Sequence, residues 1–177
     1  MAVLDIATAW RRMESVLRRR PEFGLQDDAA ATAHWDAGTR VSCSHANGHS
    51  VLTDMPAELG GSGDQVSPGW LVRAGLASCA ATGIAMVAAT KGIALTALEV
   101  VVSSRSDARG FMGLVDTNGV VVDAGPQDLR MLVRIASRQA TAEVLRALVH
   151  ESQRHSPVTS SMQNAVPVDL QIDIASD

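Results

Sequence analysis

A chain of 177 residues with 46% apolar and 19% charged side chains has the make-up of one folded domain, which excludes a disordered segment. Its formal charge of −4 disfavours nucleic acid as the main partner, and two cysteines, Cys43 and Cys79, supply no disulfide framework, pointing to a reducing cytosol. The opening MAVLDIATAW lacks the charged start and long apolar core of a secretory signal, so a cytoplasmic protein is expected.

The spacing of Ile6, Trp10, Met13 and Leu17 predicts a helix over 5–20, ended by Pro21. Its basic cluster RRMESVLRRR reads as the solvated side of that helix. This helix and an acidic, alanine-rich connector make up residues 1–28, and residues 29–177 form a single domain. ATAHWDAGTRVSCSH (31–45) alternates as one strand, with Val41 and Cys43 on one face. Asn47-Gly48 is a two-residue hairpin signal, and SVLTDM returns as the next strand. PAELGGSGDQVSP (56–68) is a loop of the kind that lines sites.

A long helix is predicted over 68–91: Ser67 caps it, Pro68 suits its first position, and Gly92 can take the left-handed conformation that stops it. It is apolar all round, which predicts burial on most sides. Its uncharged part, 74–90 between Arg73 and Lys91, is shorter than the ~20 residues of a membrane span, so a core helix is expected and no membrane. ALTALEVVVSSRS and DLRMLVRIAS read as strands. Between them, RGFMGLVDTNGVVVDAG carries a second hairpin signal at Asn118-Gly119. Thr141 caps a helix running to about Arg154, with Val144, Leu145, Leu148 and Val149 as its stripe and Pro157 as its limit. AVPVDLQIDI closes the chain as an alternating strand. The order of elements predicts an α+β fold with largely antiparallel sheet around two main helices.

Cys43, His45 and His49 are close enough in sequence to test for a metal. A two-residue turn would pair Ala46 with His49 and His45 with Ser50, sending the imidazoles to opposite faces. Zinc wants three or four convergent ligands, so no metal is expected, and no motif calls for another cofactor. ELGGSGD lacks the lysine of a phosphate loop. LASCA sits well inside its helix, unlike a nucleophile elbow. The helical neighbours of Cys79 are Val72, Gly75, Leu76, Thr82, Gly83 and Met86. Apolar surroundings of that kind disfavour a thiolate, and Arg73 falls on a roughly opposite face. From these residues alone, packing is the favoured role of Cys79.

SPGWLVRAGLASCAATGIAMVAATKGI resembles the central cysteine helix of the OsmC/Ohr family: a Pro-led helix, an alanine-rich turn, Ser/Ala-Cys, and an apolar run ending at Lys/Arg-Gly. LVHESQRHSPVTSSMQNAVPVDLQID is similar to the family's closing segment, AHWDAGTR to its first strand, and MPAELGGSGDQVSP to its loop into the helix. The resemblance covers about residues 29–175, and RGFMGL with the leading helix marks a divergent OsmC-like branch. It implies an intertwined homodimer in which two sheets wrap a pair of central helices, with sites at the subunit boundary. It also implies reduction of organic hydroperoxides. A first cysteine becomes a sulfenic acid, a second resolves it as a disulfide, and a dithiol donor resets the pair. An arginine and a glutamate hold the first cysteine as thiolate.

Carried over to this sequence, the resemblance puts Cys79 in the place of the first cysteine. Ser156, before Pro157, stands where the second would be, and Gly69, followed by Trp70, stands where the glutamate would be. Arg40 is the nearest candidate for the arginine. The implied activity is a slow, one-cysteine peroxide reduction that needs an external thiol, or Cys43, as reductant. The alternative is a non-catalytic dimer that keeps an apolar interface pocket, lined by Trp70 and Met86, for a small hydrophobic ligand. His155 reads as a surface histidine stabilised by its helix end.

Overall fold

Helix starts in this protein carry the caps that their sequences advertise. The computed structural model describes residues 5–175; residues 1–4 and the last two residues lie outside them. Helix α1 (Ile6–Arg19) is capped by Asp5, whose carboxylate accepts from the Thr8 amide at 3.2 Å. Helix α2 (Pro68–Thr90) starts at Ser67, which accepts from the Trp70 amide, and stops where Gly92 turns left-handed at φ +68°. Thr141 caps α4 (Ala142–Arg154) through the Val144 amide.

Strands β1 (Ala31–Ala37), β2 (Arg40–His45) and β3 (Ser50–Thr53) form a three-stranded antiparallel sheet in the order β1-β2-β3. The single strand expected over 31–45 is therefore two. Gly38, at φ +57°, reverses the chain between them, and the Trp35 indole donates to the Gly38 carbonyl at 2.9 Å. Strands β4 (Leu95–Arg105) and β5 (Gln127–Ser137) make a second, two-stranded antiparallel sheet. The excursion between them holds the one-turn helix α3 (Ala108–Phe111) and a turn at Asn118-Gly119, closed by a Val115–Val121 bridge. The sequence signals this turn, while the resemblance implies a less regular excursion; the turn forms.

The hairpin after β2 differs from expectation by one residue. Ser44 pairs with Ser50, and the His45 amide donates to the His49 carbonyl at 2.9 Å, so Ala46-Asn47-Gly48 form a three-residue loop. His45 and His49 are thus opposite one another, and strand pairing does not send their rings to different faces. Even so, no group of metal-ligating side chains gathers among the described residues.

The core lies between α2, α4 and the β4-β5 sheet. Ile84, Ala88 and Leu148 are buried there against Leu98, Val100, Val133 and Ile135. Leu76, Ala80, Ile84 and Ala88 recur every four residues, so only one stripe of α2 is fully buried. This corrects the expectation of burial on most sides: within one chain Trp70 stays 47% exposed. At 23 residues α2 is long and apolar enough to cross a membrane by length and composition, yet its buried stripe lies on the sheet. Helix α1 packs on α2 with its own stripe half covered; Ile6 and Trp10 remain partly exposed.

Pro157, expected only to limit α4, begins a further short helix, α5 (Pro157–Gln163). The predicted closing strand is not a strand. Residues 165–174 pair with no sheet of this chain, and Val166, Val168, Leu170, Ile172 and Ile174 are exposed.

Candidate functional site

Cys79 sits on α2 beside the buried stripe and is itself half-buried. Opposite it, the chain leaves α4 at His155, which is exposed, and enters α5 at Ser156, which is only 5% exposed. The Cys79 Sγ lies 3.5 Å from the Ser156 Oγ. Two residues far apart in sequence are thereby brought together where the resemblance places two cysteines.

Close approach of α4 to α2 makes this contact possible. A Cβ at Gly83 would stand 2.9 Å from the Ser152 Oγ, so a hydrogen on the α2 backbone sets how near α4 can come. Ser156 is held from its own side. Its Oγ accepts from the Thr159 amide at 3.4 Å and lies 3.0 Å from the Thr159 Oγ1, which in turn lies 3.1 Å from the Gln153 Oε1. Ser152 Oγ and Gln153 Nε2 are buried and have no hydrogen-bond partner among the described residues.

Arg40 belongs to a second cluster. Its Nη2 contacts Asp54 at 3.1 Å, Asp64 at 2.5 Å and the Ser62 Oγ at 2.7 Å. Asp54 is buried and also accepts from the Thr39 hydroxyl at 2.5 Å, the Met55 amide at 2.8 Å, and the amide and hydroxyl of Ser62. The Ser62 and Thr39 hydroxyls hold the Asp54 carboxyl far below the usual carboxylate range. Asp64 is lowered as well, by Ser62 and then by Arg40. Asp64 and Asp54 in turn raise the Arg40 guanidinium above its ordinary value. The loop closes around Asp54 only because residue 61 is glycine: a Cβ there would stand 1.8 Å from the Met55 carbonyl oxygen.

The remaining predicted site residues are spread along α2. Gly69 and Trp70 lie in its first turn. A Cβ at Gly69 would make ordinary contact with Arg73 Nη1 at 3.8 Å, so nothing in the structure requires glycine there. Met86 lies two turns beyond Cys79 and faces α1. With Ile6, Trp10, Met13 and Leu17 it lines an apolar groove of about 1000 Å³. Among the described residues, the hydrogen-bond partner of Cys79 is Ser156, whereas those of Arg40 are Asp54, Ser62 and Asp64. Cys43 lies in β2, opposite Val51.

The family model described as OsmC-like protein matches residues 61–171, which span α2, α4 and the Cys79–Ser156 pair. The chain belongs to the OsmC-like protein family. Solved OsmC-like structures share its fold. One is an organic hydroperoxide resistance protein OsmC, predicted redox protein, from Legionella pneumophila: 21% identical, covering 78% of this chain and 91% of that one, TM-score 0.54. An OsmC like protein from Mycoplasma pneumoniae is 15% identical over 80% of this chain and 91% of its own, with a TM-score of 0.64. A putative organic hydroperoxide resistance protein from Vibrio cholerae, with captopril bound in one of its active sites, is 20% identical over 80% of this chain and 89% of its own, at a TM-score of 0.56. Among curated proteins, none matches the sequence.

The sequence singles out Cys79 and Ser156, which the structure of this OsmC-like chain brings together, but not their neighbours Thr159, Gln153 and Ser152. A signal for the first of these was present. Ser-Pro at 156–157 is a helix start, and a capping serine turns its oxygen toward the residue three positions on. Asp54 and Asp64, the partners of Arg40, carried no local signal.

Proposed function

We propose that this protein reduces organic hydroperoxides slowly through Cys79 alone, drawing electrons from an external dithiol. The observation that carries this reading is the 3.5 Å approach of Cys79 Sγ to the Ser156 Oγ, a hydroxyl at the position where the resemblance implies the second sulfur. The Cys79 sulfur attacks the terminal oxygen of the hydroperoxide, the O–O bond breaks, and an S–O bond forms. The departing alkoxide takes up the proton that the thiol gave away and leaves as the alcohol. A hydroxyl cannot form a disulfide, so the sulfenic acid waits for a donor thiol. That thiol displaces water to give a mixed disulfide, and the donor's second thiol then frees Cys79.

In this reading Arg40 organises the loop after β3 rather than the sulfur, since its guanidinium is already committed to Asp54 and Asp64. The working unit is a cytoplasmic homodimer. Two features support the dimer: the uncovered faces of α2, and the exposed apolar alternation over 165–174, which pairs with neither sheet of its own chain. A molar mass in solution equal to one chain would rule out the dimer. The second reading, a dimer that stores a small apolar ligand, is favoured by the groove that Met86 forms with α1.

The deciding experiment mixes pure protein with cumene hydroperoxide and a dithiol, beside Cys79→Ser. The wild type should consume peroxide above the buffer rate and, without dithiol, gain oxygen in intact mass; Cys79→Ser should do neither. Equal peroxide loss in both would end the catalytic reading. An apolar molecule co-purifying with an inert protein would favour storage.

A further inference from the structure

We propose that Ser156 is a catalytic residue in this chain. Its hydroxyl, set by Thr159 and Gln153, donates to the Cys79 sulfur whenever that sulfur is an anion. This rests on the reading of Cys79 as the reactive group.

Counting protons gives the direction of the hydrogen bonds. While Cys79 is a thiol, its S–H can donate to the Ser156 Oγ, and the single Thr159 hydroxyl proton has two acceptors in reach, the Gln153 Oε1 and the Ser156 Oγ. A sulfur anion can only accept. Ser156 must then turn its proton toward Sγ, and Thr159 can turn its own toward Ser156. The Thr159 amide continues to donate to the Ser156 oxygen in both arrangements. An anion in a half-buried, apolar place thus acquires a donor that is itself supported by two further donors. The helix that carries Cys79 offers it nothing comparable.

A second observation points to an oxygen-bearing guest. Ser152, 3% exposed, holds its Oγ against Gly83, one turn from Cys79 on the same side of α2, and that Oγ has no partner among the described residues. The amide nitrogen of Gln153, buried beside the Thr159 contact, is also unpartnered. Buried donors left unused are costly. Here one rests against α2 one turn from Cys79 and the other lies beside the Thr159–Ser156 contact, so a small polar head is the kind of guest that would satisfy them.

The test needs no peroxide, so its failure is distinct from failure of the peroxidase reading. Iodoacetamide alkylation of Cys79 at neutral pH, in a Cys43→Ser background, is read together with ultraviolet thiolate absorbance. Ser156→Ala should slow alkylation about tenfold and weaken the absorbance, although the smaller side chain opens the approach to sulfur. Ser156→Thr should restore both, and Thr159→Val should give a smaller fall. Alkylation of Ser156→Ala at or above the parent rate overturns the proposal. Should Ser156→Ala fail to fold, the near-isosteric Thr159→Val carries the same decision, and an unchanged rate there overturns it. An inert response to peroxide with slowed alkylation would remove the peroxidase reading and leave the hydroxyl assignment standing.

Discussion

Ser156→Cys should turn the response to hydroperoxide from a gain of oxygen into a loss of two hydrogens. The wild-type Oγ already lies 3.5 Å from the Cys79 sulfur, and a disulfide needs its sulfurs ~2.0 Å apart with Cβ atoms ~3.8 Å apart. The change asked of the α4–α5 junction is therefore small. Once both sulfurs are present, the sulfenic acid meets a thiol held beside it, not one arriving from solution. Resolution of the sulfenic acid should speed up by about tenfold or more, while the first attack on peroxide loses the help of the Ser156 hydroxyl. The substitution also removes the hydroxyl that caps α5, at a cost of ~1 kcal/mol, so the gain is expected in a slightly less stable protein. Intact mass after a short exposure to peroxide decides the matter. A variant that accumulates sulfinic acid, with no bridge between positions 79 and 156, would show that the two side chains do not meet during the reaction.

Asp54→Asn should lower the melting temperature by about 5–10 °C at neutral pH and flatten its fall in acid. Asp54 is surrounded by donors: Thr39, Arg40, the Met55 amide, and the amide and hydroxyl of Ser62. Asparagine keeps one acceptor and turns an NH2 toward groups that also donate, leaving Arg40 with Asp64 as its remaining carboxylate. The acid effect follows from the direction of the shift. The folded carboxyl lies well below its ordinary value, so its contribution is complete above about pH 4 and is lost as pH falls through the folded value. Asp64, also lowered, and Asp107, which Arg109 brings down to about 2, behave the same way. The variant should thus keep part of its acid sensitivity and lose the share due to Asp54. Melts at neutral and acidic pH measure both quantities. Equal melting temperatures at neutral pH, with the same acid slope, would mean that the cluster does not hold the loop.

How far this arrangement could be read from the sequence depends on the range of the interactions. Local chemistry was legible. Ser67, Pro68 and Gly92 bound α2, Thr141 starts α4, and each acts on residues within one turn of itself. The α+β class and the Cys79–Ser156 pairing also emerged, the second through family resemblance. Single-residue register did not. Gly38 divides what alternates as one strand, and three residues rather than two turn the chain at Asn47-Gly48. Long-range polar contacts were invisible, because nothing local to Arg40 announces Asp54 or Asp64. Residues 165–174 carry the alternation of a strand, but a strand also needs a partner, and here they pair with neither sheet of the chain. For α2, an all-apolar sequence proved that its faces need covering without saying that one chain fully buries only a stripe.

Gly83 gives the molecule a spacer made of almost nothing. Because the missing methyl lets Ser152 rest on the α2 backbone, the gap between sulfur and hydroxyl is governed from a position that touches neither. Chemistry at Cys79 could then be retuned over generations by bulk alone, one carbon at a time, while both reacting groups stay unchanged.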